Sequence, residues 1–284
     1  MAMAWEEAEA RRVGEAFDRL VGKAPRRNIR DLNHLDEKTR ERVYALLIPG
    51  RLFEMFAIDP QTFTNRLGER VVSVNAPQGA TFAVIEVREH PHDQDAIFFL
   101  EIEDTAFFKI DINFLVINDP RSPRFDTDVD TAGRRTKFAT VRRNIPEEIR
   151  AMEAGLAPGQ VRRGLRLFRH FAPLALGFIE AMGQDMVIAE PLAYNNAIIF
   201  ESYGFNYIRG RRKMEEINAG FQPGGELFER LDGSTPFRRP GMEKTVRGRA
   251  WAIHDGILGE PWRGIEMYRT MQPAGICTFP GWRY

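Results

Sequence analysis

The chain has 284 residues, 43% hydrophobic and 28% charged, a balance that excludes disorder and collagen-like repeats and suits one large domain with additions or two small ones. Forty basic residues cancel forty acidic ones, so net charge supplies no general pull toward nucleic acid or an anionic membrane surface. The single cysteine, Cys277, excludes an internal disulfide framework and Cys-rich zinc motifs; with a polar start and no apolar run of membrane-spanning length, the expectation is a soluble, cytoplasmic protein.

Ala4–Val21 carries Val13, Phe17, Leu20 and Val21 at helical spacing and reads as an amphipathic helix. Residues 23–33, with Pro25, read as a polar loop. Asp36 caps a second helix running to Leu47, with Val43, Leu46 and Leu47 on its apolar stripe; Pro49-Gly50 ends it, and a short helix follows over 51–58. The texture then changes to Val, Ile and Phe. Residues 70–75, 81–88, 96–104 and 106–118 read as strands of an antiparallel meander, with Phe108, Ile110, Ile112 and Phe114 alternating against Lys109, Asp111 and Asn113. A basic polar stretch leads to a helix over 145–154 with Pro146 near its start. Residues 163–182 form a strong helix with Leu165, Phe168, Ala172, Leu176 and Ile179 inward and Pro173 inside it. A short strand over 186–189, a helix over 194–203 ended by Gly204, and a strand from Phe205 follow. Beyond Gly220 the chain is Gly- and Pro-rich; a helix is read near 262–271 and a last strand at 276–279. The fold class is mixed α/β (α+β), with a largely antiparallel sheet flanked by helices. Composition suggests a helical arm over 1–60, a core over 61–219 and an extension over 220–284.

The most informative stretch runs from Gly155 to Phe205. It contains Arg162-Arg163-Gly164-Leu165-Arg166 before the long helix, then the 186–189 strand, then Asn195-Asn196-Ala197 and Glu201-Ser202-Tyr203-Gly204-Phe205. A turn with glycine and arginines at a helix start offers backbone N–H groups and guanidinium donors to an anion. This stretch resembles the acyl-CoA-binding half of the GNAT acyltransferase family. The resemblance implies a GNAT-like fold in which Arg162, Arg163, Gly164, Leu165 and Arg166 hold the pyrophosphate of an acyl-CoA, acetyl-CoA among the candidates, and Asn195 and Asn196 contact its pantetheine arm. Two positions depart from the family pattern. Arg166 stands where a second glycine is usual, and Phe200 where a tyrosine commonly protonates the leaving thiolate, so Tyr203 becomes the nearby substitute.

Acylating an amine needs a base, and Glu101 and Glu103, on one face of a predicted strand, are the candidates. The expected function is transfer of an acyl group from an acyl-CoA-type thioester to an amine of a small molecule or protein, with no metal, no nucleic acid and no membrane span, and with a homodimer as the assembly considered. Two alternatives stay open: a GNAT-shaped binding or regulatory protein without transferase activity, and a metal enzyme using His90 and His92. Asp126, Asp128 and Asp130 imitate the start of a calcium loop but lack the turn glycine and, at Lys137, the closing acid; pairing with the nearby arginines is the simpler reading. The basic run 121–143, with only Phe125 and Phe138 as aromatics, is no stacking platform. His254-Asp255 lacks an adjoining nucleophile, and Cys277 is read as an inert thiol in an apolar setting.

Overall fold

The structure, a computed structural model, describes residues 2–23, 27–106, 109–136 and 142–284. Pro25, Phe108, Lys137 and Phe138 lie outside the described residues. The chain folds into two compact units interleaved along the sequence: Met1–Pro120, Gly164–Ala189 and Tyr268–Pro273 make the first, and Arg121–Arg163, Glu190–Met267 and Ala274–Tyr284 the second. This division differs from the three successive segments read from composition, because the N-terminal helices group with the strands and the C-terminal stretch enters both units.

In the first unit, α1 (Ala2–Val21), α2 (Ile29–Leu32), α3 (Glu37–Ala45) and α4 (Gly50–Phe56) precede strands β1 (Val72–Asn75), β2 (Phe82–Val87), β3 (Phe98–Asp104) and β4 (Ile110–Ile117). The four strands form the expected antiparallel meander, in register at Val72↔Val87, Phe82↔Glu103 and Phe98↔Ile117. Period-two alternation buries Ala83, Ile85 and Val87 of β2 and Phe98, Leu100 and Ile102 of β3. Helix α6 (Phe168–Ala181) belongs to the same unit: Phe171 lies 6.0 Å from Phe98, and Phe178 meets Phe17 of α1 edge-on at 5.3 Å. The two helices touch backbone to backbone, since a Cβ on Gly177 would fall 2.2 Å from the Ala10 carbonyl oxygen.

Asp36 caps α3 as expected, accepting from the Thr39 N–H. Where a loop was expected, α2 forms a short turn, because Asn28 and Asp31 make a reciprocal capping box. Asn33 then fastens this turn to the meander. It accepts from the Tyr44 hydroxyl at 2.6 Å and donates to the carbonyls of Ala80 and Phe82 at 2.9 Å.

The long helix starts later than the sequence suggested. Gly164 pairs with Asn118 in an isolated β-bridge, and Arg166 takes a left-handed backbone (φ 57°), so helical geometry begins at Phe168. Its buried face is Phe171, Leu174, Ala175 and Phe178, with Ile179 inward as expected; Leu165, Phe168, Ala172 and Leu176 are only half-buried. Packing against α1 and β3 chose that face, and apolar spacing alone did not distinguish it from its neighbour.

Strand β5 (Met186–Ala189) runs parallel to β4. Strand β7 (Glu266–Thr270) passes from the second unit into the first. Among the described residues the sheet has seven strands in the order β1-β2-β3-β4-β5-β7-β6, with β6 at Asn206–Arg209, and is mixed α+β, mostly antiparallel and flanked by helices. The helix expected near 262–271 is therefore strand β7, whose Met267 and Arg269 are buried in alternation. The strand expected at 276–279 is absent, because the Thr278 N–H bonds to the Glu201 carboxylate instead of a ladder partner.

The second unit holds α5 (Ile145–Glu153), α7 (Tyr194–Ser202), α8 (Arg211–Gly220), α9 (Glu226–Glu229) and α10 (Val246–His254). Its core joins Phe125, Ala151, Leu156, Phe237 and Trp251. Phe237 stacks on Trp251 at 5.2 Å, and the indole N–H donates to the Leu156 carbonyl at 2.8 Å. Gly204, at φ 78°, ends α7 as the sequence implied. No helix among the described residues is long and apolar enough to cross a membrane.

Candidate functional site

The first unit brings two of the expected residues together. Alternation on β3 places Glu101 and Glu103 opposite the buried Leu100 and Ile102, and both carboxylates are half-buried. The β3–β4 register runs Glu101↔Phe114 and then Ile102↔Ile112, so Asn113 is an extra residue, a β-bulge. The bulge aims its amide at the acids: Asn113 Nδ2 donates to Glu103 Oε2 at 3.1 Å and approaches Glu101 Oε1 at 3.4 Å. Phe99 and Phe114, edge to face at 5.7 Å, adjoin the pair on the strands.

The bulge also marks where the sheet changes. The β4–β5 ladder covers Ile110↔Val187, Asp111↔Ile188 and Ile112↔Ala189 and stops there. Strand β4 runs on from Asn113 to Ile117 until Asn118 meets Gly164. A Cβ on Gly164 would lie 3.2 Å from the Ile117 carbonyl oxygen, so this glycine allows close approach of two backbones. Leu165 is half-buried and Arg166 exposed.

The remaining candidates fall in the second unit, whose boundary with the first lies between Arg163 and Gly164. Arg162 Nη1 donates to the Ser122 carbonyl at 2.5 Å and Arg163 Nη2 to the Ala154 carbonyl at 3.0 Å, so both side chains engage neighbouring loop carbonyls. Asn195 is buried at the start of α7. Its Nδ2 donates to Asn196 Oδ1 at 2.7 Å, and its own Oδ1 has no hydrogen-bond partner among the described residues. Tyr203 is the half-buried residue that closes α7, and Phe200 stacks on Phe205 at 4.9 Å.

A buried ionic cluster in the second unit joins Arg143, Glu148, Arg238, His254 and Asp255. Glu148, 1% exposed, accepts from Arg143 through Nε (2.9 Å) and Nη2 (2.5 Å) and faces His254 Nε2 at 3.3 Å. Arg143 Nη1 reaches Asp255 at 2.8 Å, and Asp255 also accepts from Arg238 Nε (2.9 Å) and the Thr235 hydroxyl (2.8 Å). Burial alone pushes the Glu148 carboxyl up, but the bonds from His254 and Arg143 outweigh it and hold it below its usual value. Only the adjacent pair His254-Asp255 hinted at this cluster. The other members come from 143–148 and 235–238, which no sequence spacing links.

A second buried carboxylate, Glu201, accepts from the Tyr207 hydroxyl (2.5 Å) and from the N–H and hydroxyl of Thr278 (2.9 and 2.6 Å). Burial and the neighbouring Glu201 push the Tyr207 hydroxyl pKa up.

His90 Nδ1 lies 3.0 Å from Glu69 Oε2 in an exposed turn, and no group of three or more His, Cys, Asp or Glu among the described residues is placed to hold a metal ion. Asp126 and Asp128 pair with Arg124, and Asp130 with Arg134 and Arg142, the arrangement read from their spacing. Cys277 is exposed, contrary to the apolar setting expected, because the 276–279 segment forms no strand. Comparison of the chain with models of known protein families, with curated proteins and with solved structures found no match.

Proposed function

We propose that the protein is an acyltransferase that moves an acyl group from a coenzyme A-type thioester to an amine, in a reducing, cytoplasmic setting, the acceptor being a small molecule or a protein side chain. The observation that supports this reading is the end of the β4–β5 ladder at Ile112, beside the Asn113 bulge and the Glu101–Glu103 pair. Beyond Ile112 the β4 backbone is no longer laddered to β5, which suits an extended thioester arm. The half-buried carboxylates suit a base that takes the proton from an ammonium or attacking amine. In the transfer the amine nitrogen forms a bond to the acyl carbon, the carbon–sulfur bond breaks, and the thiolate leaves to be reprotonated.

Arg166 adds a second line of support. Its left-handed backbone, φ 57°, is the conformation a glycine adopts without strain, at the position where the resembled family has one. An arginine held there costs about 1 kcal/mol, which a role for its guanidinium on the pyrophosphate would offset.

Thermal shift and isothermal titration with CoA, acetyl-CoA and longer acyl-CoAs, followed by thiol release in the presence of an amine panel, test the reading. Binding and amine-dependent thiol release are expected. The variant lacking the base, Glu101→Gln or Glu103→Gln, should lose about 10²–10⁴-fold in kcat. Arg166→Gly should hold or raise stability while weakening CoA binding. No shift with any thioester and no thiol release would reject the transferase.

A silent binding protein of the same shape is favoured instead by Phe200, which stacks on Phe205 and carries no proton to donate. Thioester binding without any turnover would select it.

A further inference from the structure

We propose that the second unit contains a separate ligand site, a cleft that takes a small organic carboxylate with an apolar body. The cleft is a depression largely open to solvent and holds about 410 Å³, within the ~300–1,000 Å³ typical of small-molecule sites. Met152, Leu156, Met242 and Trp251 give it apolar walls, and the charged residues lining it are both arginines, Arg239 and Arg247. The Trp251 wall is rigid, since its indole is stacked on Phe237 and bonded to the Leu156 carbonyl.

Arg247 donates to the Gly155 carbonyl and lies with its Cζ 5.2 Å from the Tyr284 ring centroid; among the described residues it has no carboxylate within ion-pair distance. Arg239 has Glu153 at 4.0 Å, the outer limit of a pair, with both side chains half-exposed. Glu243, next to Met242, is turned to the Gly241 N–H at 2.8 Å.

Two cations beside apolar walls therefore face a cleft whose lining, among the described residues, holds no acid. A planar carboxylate matches the guanidinium fork, and an attached hydrocarbon or ring covers the half-buried Met152 and Met242 side chains. An inorganic dianion would leave those walls wet.

The test is calorimetric titration of the full chain with 4-phenylbutyrate, with the uncharged isostere 4-phenylbutanamide, and with inorganic phosphate. Saturable binding of 4-phenylbutyrate at one site per chain is expected in the millimolar range or better. The amide, Arg247→Gln and Arg239→Gln should each weaken it by about tenfold or more. Met152→Trp, which narrows the cleft, should weaken it further while leaving acetyl-CoA binding as in the wild type. If Arg247→Gln fails to fold by circular dichroism, Arg239→Gln decides, because that side chain is 52% exposed. The proposal is overturned by any of four results: no saturable binding of 4-phenylbutyrate, an equally good amide, phosphate binding as tightly, or unchanged affinity in the arginine variants. None of these results touches the acyl-transfer reading, whose carboxylate pair and ladder end lie in the first unit.

Discussion

Replacing Glu148 by glutamine removes one charge from a buried ionic cluster while keeping the shape of the side chain. In the wild type, Arg143 is held between two carboxylates, Glu148 on its Nε and Nη2 and Asp255 on its Nη1. The variant leaves Asp255 alone to balance Arg143, and Arg238 also draws on that acid. Breaking a buried pair by removing one partner costs about 3–5 kcal/mol. Arg143 keeps one partner and is 23% exposed, which argues for the lower end, about 3 kcal/mol. At ~2–4 °C per kcal/mol the melting point should fall by roughly 6–12 °C.

The same residue fixes a pH signature. Its folded pKa lies below the ordinary value of 4.5, so the unfolded chain binds the proton more readily. The stabilisation is fully present above about pH 4.5 and is lost as pH falls through the folded value. Urea denaturation from pH 7 down to pH 3 should show a steeper acid loss in the wild type than in Glu148→Gln. A variant within about 0.5 kcal/mol of wild type at pH 7, with an unchanged acid slope, would refute the claim that the cluster stabilises the fold.

Three further outcomes are expected. Gly177→Ala should force α1 and α6 apart, because the new Cβ would meet Ala10 oxygen and Cα at 2.2 and 2.7 Å; a loss of about 1–3 kcal/mol in denaturant unfolding is expected, and a neutral result would mean the helices do not touch there. Tyr207→Phe takes the hydroxyl from Glu201 but leaves both Thr278 bonds, so it should cost about 1–3 kcal/mol and loosen the 276–279 segment, read by faster amide exchange at Thr278. Asn28→Ala removes the capping box of α2 and should cost about 1 kcal/mol, with less helix signal by circular dichroism.

Local order was legible in the sequence wherever one chemical pattern sufficed. The alternation of 82–87 and 98–104, the Asp36 cap and the Gly204 stop each depend on neighbours within a few residues, and each formed as read. The common face of Glu101 and Glu103 followed from the same alternation. The start of α6 did not, because it depends on Gly164 meeting Asn118, residues 46 positions apart in the sequence. The inward face of α6 was likewise chosen by Ala10 and Phe98, which periodicity cannot weigh against the neighbouring stripe. Strand β7 was misread as a helix because five residues carry too little periodic signal, and its sheet neighbours come from distant segments.

The amino-acid sequence by itself thus determined the mixed α+β class, the meander and the carboxylate pair, since these arise from contacts between near neighbours. Tertiary structure alone decided the Asn113 bulge, the end of the β4–β5 ladder, the Arg143–Glu148–Asp255 cluster and the arginine-lined cleft. Each of these depends on segments far apart in the chain coming together, and burial there sets the strength of every charge.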